Sequence, residues 1–147
     1  MSSPQGAPWQ RAWEEVRCSI SIASDTVTAS EITALLGVEP TRQRIKGEPI
    51  SSKRPNIPVA SHLWTWQPDD SVERSLDAQL DAIWAAHGSR AELFRSLPAE
   101  VNVRLAIWMT HHGDDLRLGW VLDRRHVTAA AAFGASLDVD EYDDTET

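Results

Sequence analysis

Apolar and polar residues alternate from Val16 to Ala23, with Val16, Cys18, Ile20 and Ile22 on one side. A period of two sends neighbouring side chains to opposite faces, so this stretch is predicted to be a half-buried strand. Thr28-Ala29-Ser30-Glu31 comes next. It has the form of a capping box, in which Thr28 accepts from the Glu31 amide and the Glu31 side chain reaches back. A short helix from Ala29 to Leu36 is expected, with Ile32, Leu35 and Leu36 facing inward and Gly37 ending it in a left-handed conformation. Val38 to Ala60 is long, polar and broken by Pro40, Pro49, Pro55 and Pro58. One short strand near Arg42–Lys46 is expected there, and the rest reads as loop. Ser61–Gln67 is predicted to be a strand, with Trp64 and Trp66 on one face.

The period changes to 3.6 from Ser71 to His87, where Val72, Leu76, Leu80, Ile83, Trp84 and His87 share a helical face. Gly88 is expected to cap that helix. Ser89-Arg90-Ala91-Glu92 repeats the capping-box pattern and opens a short helix with Leu93, Phe94 and Leu97, stopped by Pro98. Val101–Thr110 alternates strictly, with Val101, Val103, Leu105, Ile107 and Met109 against Arg104, Ala106 and Trp108. After the turn His111–Asp115, Leu116–Leu122 is expected to return as a strand and make a hairpin. Asp123 is placed to cap a last helix, Arg124 to about Ala135, and Leu137–Tyr142 reads as a closing strand.

Strands that follow one another without long helices between them point to an α+β fold with a mainly antiparallel sheet. The first six main elements spell a ferredoxin-like βαββαβ core, to which a further βαβ is added. The amphipathic helices need only one side of such a sheet. They are therefore expected on one face, leaving Arg17, Arg104, Trp108 and Arg117 on the other. The expected core includes Cys18, Leu35, Leu80, Ile83, Trp84, Leu105, Leu118 and Trp120.

A chain of 147 residues suits one domain. The expected division is a flexible segment at 1–12, a single α+β domain at 13–142 and an acidic tail at 143–147. Formal net charge is −8, which argues against a nucleic-acid partner. The charge is uneven. Residues 1–60 carry seven Lys/Arg and six Asp/Glu, a net of +1, and residues 61–147 carry seven and sixteen, a net of −9. The N-terminus shows no basic and apolar signal pattern, and no run approaches ~18 apolar residues. The expected location is the cytoplasm, with no membrane partner. Cys18 is the one cysteine, so an intramolecular disulfide and a multi-thiolate zinc site are excluded. No cofactor is expected.

Several short motifs carry a family resemblance. They are Leu35-Leu36-Gly37-Val38-Glu39-Pro40-Thr41 after the first helix, the basic stretch through Lys46-Gly47-Glu48, Trp64 on the next strand, the long amphipathic helix, and the ending Leu137-Asp138-Val139-Asp140-Glu141-Tyr142. With them the chain resembles the bacterial domain-of-unknown-function family 4279 over roughly residues 15–143. The resemblance implies a small α+β domain with no established activity, so no catalytic residue is carried over. Glu141 departs from the Asp-Val-Asp-Tyr-like ending that the family implies and leaves Tyr142 in place.

Three constellations are candidates for contact chemistry. Arg42, Arg44 and Lys46 alternate in the basic stretch 42–54, and guanidinium forks suit carboxylates or phosphates. The competing readings are a charged edge strand that discourages edge pairing and a basic stretch that pairs with the chain's own acidic tail. His111, His112 and Asp114 crowd one turn and are weak metal candidates, because Asp-rich turns form for backbone reasons alone. Trp64, Trp66 and Trp108 are candidates for one shared sheet face, where Trp with Arg104 would suit an interface hot spot, but core packing under a helix is the favoured reading for at least one of Trp64 and Trp66. His62 and His126 look isolated, and His87 reads as an ordinary helix-end histidine.

The functional expectation is a non-catalytic protein-interaction module, of which an immunity protein that neutralises a toxin is one type. The alternatives are a domain that binds or senses a small anion through 42–54, and a metal-assisted hydrolase at His111–Asp115. A homodimer formed through Trp108 is expected, against the alternative that Trp9 or Trp13 folds back over it.

Overall fold

The structure is a computed structural model and describes residues 15–111 and 120–143. A five-stranded sheet carries the fold, in the order β2-β5-β1-β6-β7. Its strands are β1 (Glu15–Ser24), β2 (Arg42–Arg44), β5 (His62–Trp66), β6 (Asn102–His111) and β7 (Ser136–Asp143). β1 lies antiparallel to both β5 and β6, and β2 lies antiparallel to β5. Both strand–helix–strand links of this core therefore return parallel with one strand between, which is the ferredoxin-like arrangement. The last link runs from β6 through α4 (Arg124–Ala132) to β7, which lies beside β6 and parallel to it. Parallel neighbours need such a crossover.

That link corrects the expected hairpin. β6 pairs with β1 and β7, and Trp120–Leu122 are outside any strand. Leu116–Gly119 lie outside the described residues, and so do Arg117, Leu118, His112, Asp114, Trp9 and Trp13.

The helices α1 (Ala29–Leu36), α2 (Leu76–His87), α3 (Ala91–Arg95) and α4 all pack on one face. Val16, Cys18, Ile20 and Ile22 of β1 and Val103, Leu105, Ile107 and Met109 of β6 meet Ile32, Leu36, Leu80, Ile83, Phe94 and Phe133 there. Alternation in the two longest strands thus reads out the covered face directly. Trp64 is fully buried on it and packs edge-on against Phe94, with centroids 5.9 Å apart. Trp84 and Trp120 are only partly buried against this core.

The Thr28 capping box forms as expected, and Gly37 ends α1 at φ 71°. Leu35, however, is 51% exposed. Trp64 Nε1 donates to Thr33 Oγ1 at 3.1 Å, so Thr33 faces the sheet and Leu35 falls on the far flank. Sequence periodicity counted apolar residues and missed the polar contact that sets the helix's rotation.

α2 begins at Leu76, five residues later than the apolar periodicity suggests. Ser75 is its N-cap, accepting from the Ala78 amide. The residues before it serve the sheet instead. β5 pairs β1 only from Ile20 onward, so the first part of β1 lacks a partner on that side. The Val16 amide donates to the Arg74 carbonyl at 3.0 Å and the Cys18 amide to Gln79 Oε1 at 3.2 Å. Buried strand amides must find partners, and that need outweighs one more helical turn.

Three smaller expectations are also corrected. Gly88 runs on into a 3₁₀ turn, Gly88–Arg90, at φ −55°, rather than capping in the left-handed region. Arg90 rather than Ser89 precedes α3, with no side-chain cap. The stretch 38–60 contains a separate two-stranded sheet, β3 (Pro49–Ser51) with β4 (Arg54–Pro58). Its prolines are compatible with strands because both lie outside the main sheet, where few amides must pair.

Candidate functional site

No described helix covers the second face of the sheet. Side chains that alternate away from the core on β1 are Glu15, Arg17, Ser19, Ser21 and Ala23. Register carries this face across the strands. Ser21 sits opposite Thr65 on β5 and Arg104 on β6, and Thr65 sits opposite Arg42 on β2. Directly opposed residues share a face, so Arg42, Thr65, Ser21 and Arg104 form one row over four adjacent strands. Ser21 Oγ and Thr65 Oγ1 are hydrogen-bonded at 3.1 Å in its middle. Arg44 lies opposite Leu63 in the next row. Ala106, Trp108 and Thr110 continue the face on β6, opposite Asp138, Asp140 and Tyr142 of β7.

The face is therefore graded. Its β2 edge is basic, its β7 edge is acidic and aromatic, and between them small and hydroxyl side chains sit beside the Glu15–Arg17 pair of β1 and Arg104 of β6. Trp108 packs on Tyr142 with centroids 5.3 Å apart, and Tyr142 is 48% exposed. Arg104 stands 3.8 Å from Asp138. Arg17 pairs with Glu15 at 2.7 Å, and Arg74 also binds Glu15. The Arg17 hydrogen bond, aided by Arg74, holds the Glu15 carboxyl below the usual carboxylate range.

Four of the five sequence candidates for contact, Arg42, Arg44, Arg104 and Trp108, thus come together on one face. Lys46 does not join them. It follows β2, its amide donates to His62 Nδ1, and its Nζ lies 3.9 Å from Asp25. Core packing, favoured for at least one of Trp64 and Trp66, holds for both, so neither shares Trp108's face. Trp64 and Trp66 point into the helix layer, where Trp66 stacks edge-on to His87 at 4.4 Å, and Trp108 points the other way. The cause is register: Trp64 opposes Ile22, whereas Trp108 opposes Arg17. Ser21 and Thr65 were not singled out from sequence, and Asp138, Asp140 and Tyr142 stood out only as part of the acidic closing motif. The alternation of Asp138, Asp140 and Tyr142 was visible, but its meaning depends on β7 lying beside β6.

Three of the described groups that could do covalent or proton chemistry, Cys18, His87 and His126, are buried. Burial pushes the Cys18 thiol up to about 12, so it is not a nucleophile near neutrality. His126 is buried, contrary to its isolated look in the sequence. Trp84 Nε1 donates to its Nδ1 at 3.0 Å, and its Nε2 lies 2.8 Å from Asp77 Oδ1. With Nδ1 accepting, Nε2 carries the proton to Asp77, and neither nitrogen is left to act as a base. His87 is 1% exposed, and neither ring nitrogen has a hydrogen-bond partner among the described residues. Burial, with repulsion from Arg90, pulls its imidazole down to about 4.

Residues 14–144 match the family described as a domain of unknown function, DUF4279, and the chain belongs to that family. No curated protein and no solved structure matches it. No described helix is long and apolar enough to cross a membrane.

Proposed function

We propose that the domain is a non-catalytic protein-interaction module that docks its partner on the open face of the sheet. The observation that carries this reading is the combination on that face of an aromatic pair, Trp108–Tyr142, with Arg17 and Arg104. Trp, Tyr and Arg are the side chains most enriched where binding energy concentrates. The engaged states of Cys18 and His126 favour binding over chemistry. The cations of 42–54 are spread over β2, the Lys46 turn and the β3–β4 hairpin. That spread suits a charged docking surface better than a single anion pocket.

Affinity capture with wild type, Trp108→Glu and Leu93→Glu tests the reading. Leu93 is exposed on α3, on the helix side. A partner that wild type and Leu93→Glu retain and Trp108→Glu loses is the expected result. A partner lost by Leu93→Glu and kept by Trp108→Glu would place docking on the helix layer instead.

A further inference from the structure

We infer that the partner on the open face is a second copy of this chain, related by a two-fold axis running along β1. The inference rests on the reading that this face docks a protein, and the charge gradient supplies the occupant. Arg42 and Arg44 project from the β2 edge, and Asp138 and Asp140 from the β7 edge, all on the same face. Among the described residues the sheet has five strands, with β1 in the middle. When two such faces are stacked about a dyad parallel to the strands, β1 lies over β1, β5 over β6, and β2 over β7. Each basic edge then meets the other copy's acidic edge, twice per dimer. A dyad across the strands would set β2 on β2 and β7 on β7, like charge on like, which is costly. The surface is thus complementary to itself in one orientation, as an isologous contact requires.

The size of the side chains agrees with this orientation. The strand on the axis carries Ser19, Ser21 and Ala23 toward the mate, beside Ala106, and at its start Glu15 and Arg17, which are paired with each other at 2.7 Å. Sheets stack face to face at about 10 Å, and small residues on the axis permit that approach. The bulky pair Trp108 and Tyr142 stands off the axis, where it can fill space beside the mate's β5. Along the strands, Arg42 is level with Ser21, and Asp138 with Ala106, which opposes Ser19. For Arg42 and Asp138 the offset is one row, about 7 Å, which an extended arginine side chain bridges, while Arg44 and Asp140 stand further out on either side, level with Ala23 and Arg17.

Light scattering on the full chain after size exclusion, across micromolar concentrations, reads the mass against the 16.3 kDa monomer. The expected result is a dimer. Arg42→Glu/Arg44→Glu makes both edges acidic and Asp138→Arg/Asp140→Arg makes both basic. Each alone should raise the dimer dissociation constant at least about tenfold. Their equimolar mixture should form a heterodimer near wild-type affinity, because every edge again meets its opposite. Circular dichroism melts check folding. If Asp138→Arg, which sits beside Arg104, lowers stability, Asp138→Asn serves for the acidic edge, read as a weaker dimer. A dimer that persists in both variants, or a mixture that stays monomeric, overturns the arrangement. A wild-type monomer throughout, with Trp108→Glu still abolishing capture of a different protein, overturns the second copy and leaves the docking face standing. If neither self-association nor capture responds to Trp108→Glu, the docking reading falls as well.

Discussion

The two faces of one sheet make the sharpest contrast in this molecule. β1 supplies both, with Val16, Cys18, Ile20 and Ile22 toward the helices and Arg17, Ser19, Ser21 and Ala23 away from them. On the covered face the side chains are long, interdigitated and uncharged. Its buried polar groups are either fully bonded, as His126 is, or sealed among aromatic rings, as His87 is between Trp66 and Phe94. On the open face small side chains stand beside the Glu15–Arg17 pair and Arg104, and the two edges carry opposite charge. The covered face holds the fold together through area removed from water. The open face contributes little to that, so its charges and aromatics are free to serve recognition.

The contrast would break most visibly at Leu80, which is fully buried beneath β1 and β6. Leu80→Ala should cost about 2–5 kcal/mol in urea unfolding, from lost transfer energy plus a cavity. A loss under about 1 kcal/mol would mean that the helix layer is not close-packed.

His87 sharpens the same side of the comparison through pH. Its imidazole falls from the ordinary 6.5 to about 4 in the folded protein. The unfolded chain therefore takes up a proton first as pH falls. This contribution to stability is complete above about 6.5 and is lost between 6.5 and about 4. The loss should be on the order of 2–3 kcal/mol. His87→Phe keeps an aromatic ring in the site and should flatten that part of the profile. Equal slopes for wild type and variant in urea unfolding at pH 7 and pH 4.5 would count against the buried neutral imidazole.

Arg17 probes the open face and should give the smallest effect. Its ion pair with Glu15 is solvent-exposed, so Arg17→Gln should change unfolding free energy by no more than about 0.5 kcal/mol. A loss of several kcal/mol would show that the open face is structural after all.

Local chemistry was the most legible part of the sequence. The Thr28–Glu31 box, the Gly37 terminus and the alternation of β1 and β6 each involve neighbours in the chain, and each forms as expected. Family membership and fold class were legible as well, because element order survives without exact boundaries. What failed was set by contacts distant in sequence. The Trp64–Thr33 bond turned Leu35 outward, and the unpaired start of β1 drew residues 71–74 out of a helix. The burial of His126 needed Trp84 and Asp77, more than 40 residues away.

The candidate site divides in the same way. Alternation alone placed Arg17, Arg104 and Trp108 on the uncovered side, because a strand's period of two is independent of its neighbours. It could not bring Arg42 and Arg44 to that side, separate Trp64 from Trp108, or set Asp138 and Asp140 along the opposite edge. Those outcomes follow from strand order and register, and a shift of one residue in register moves every side chain to the other face. The sequence by itself determined which side chains each strand would show to its two sides. Only the tertiary structure decided which sides align across β2-β5-β1-β6-β7, because that depends on pairings between strands far apart in the chain.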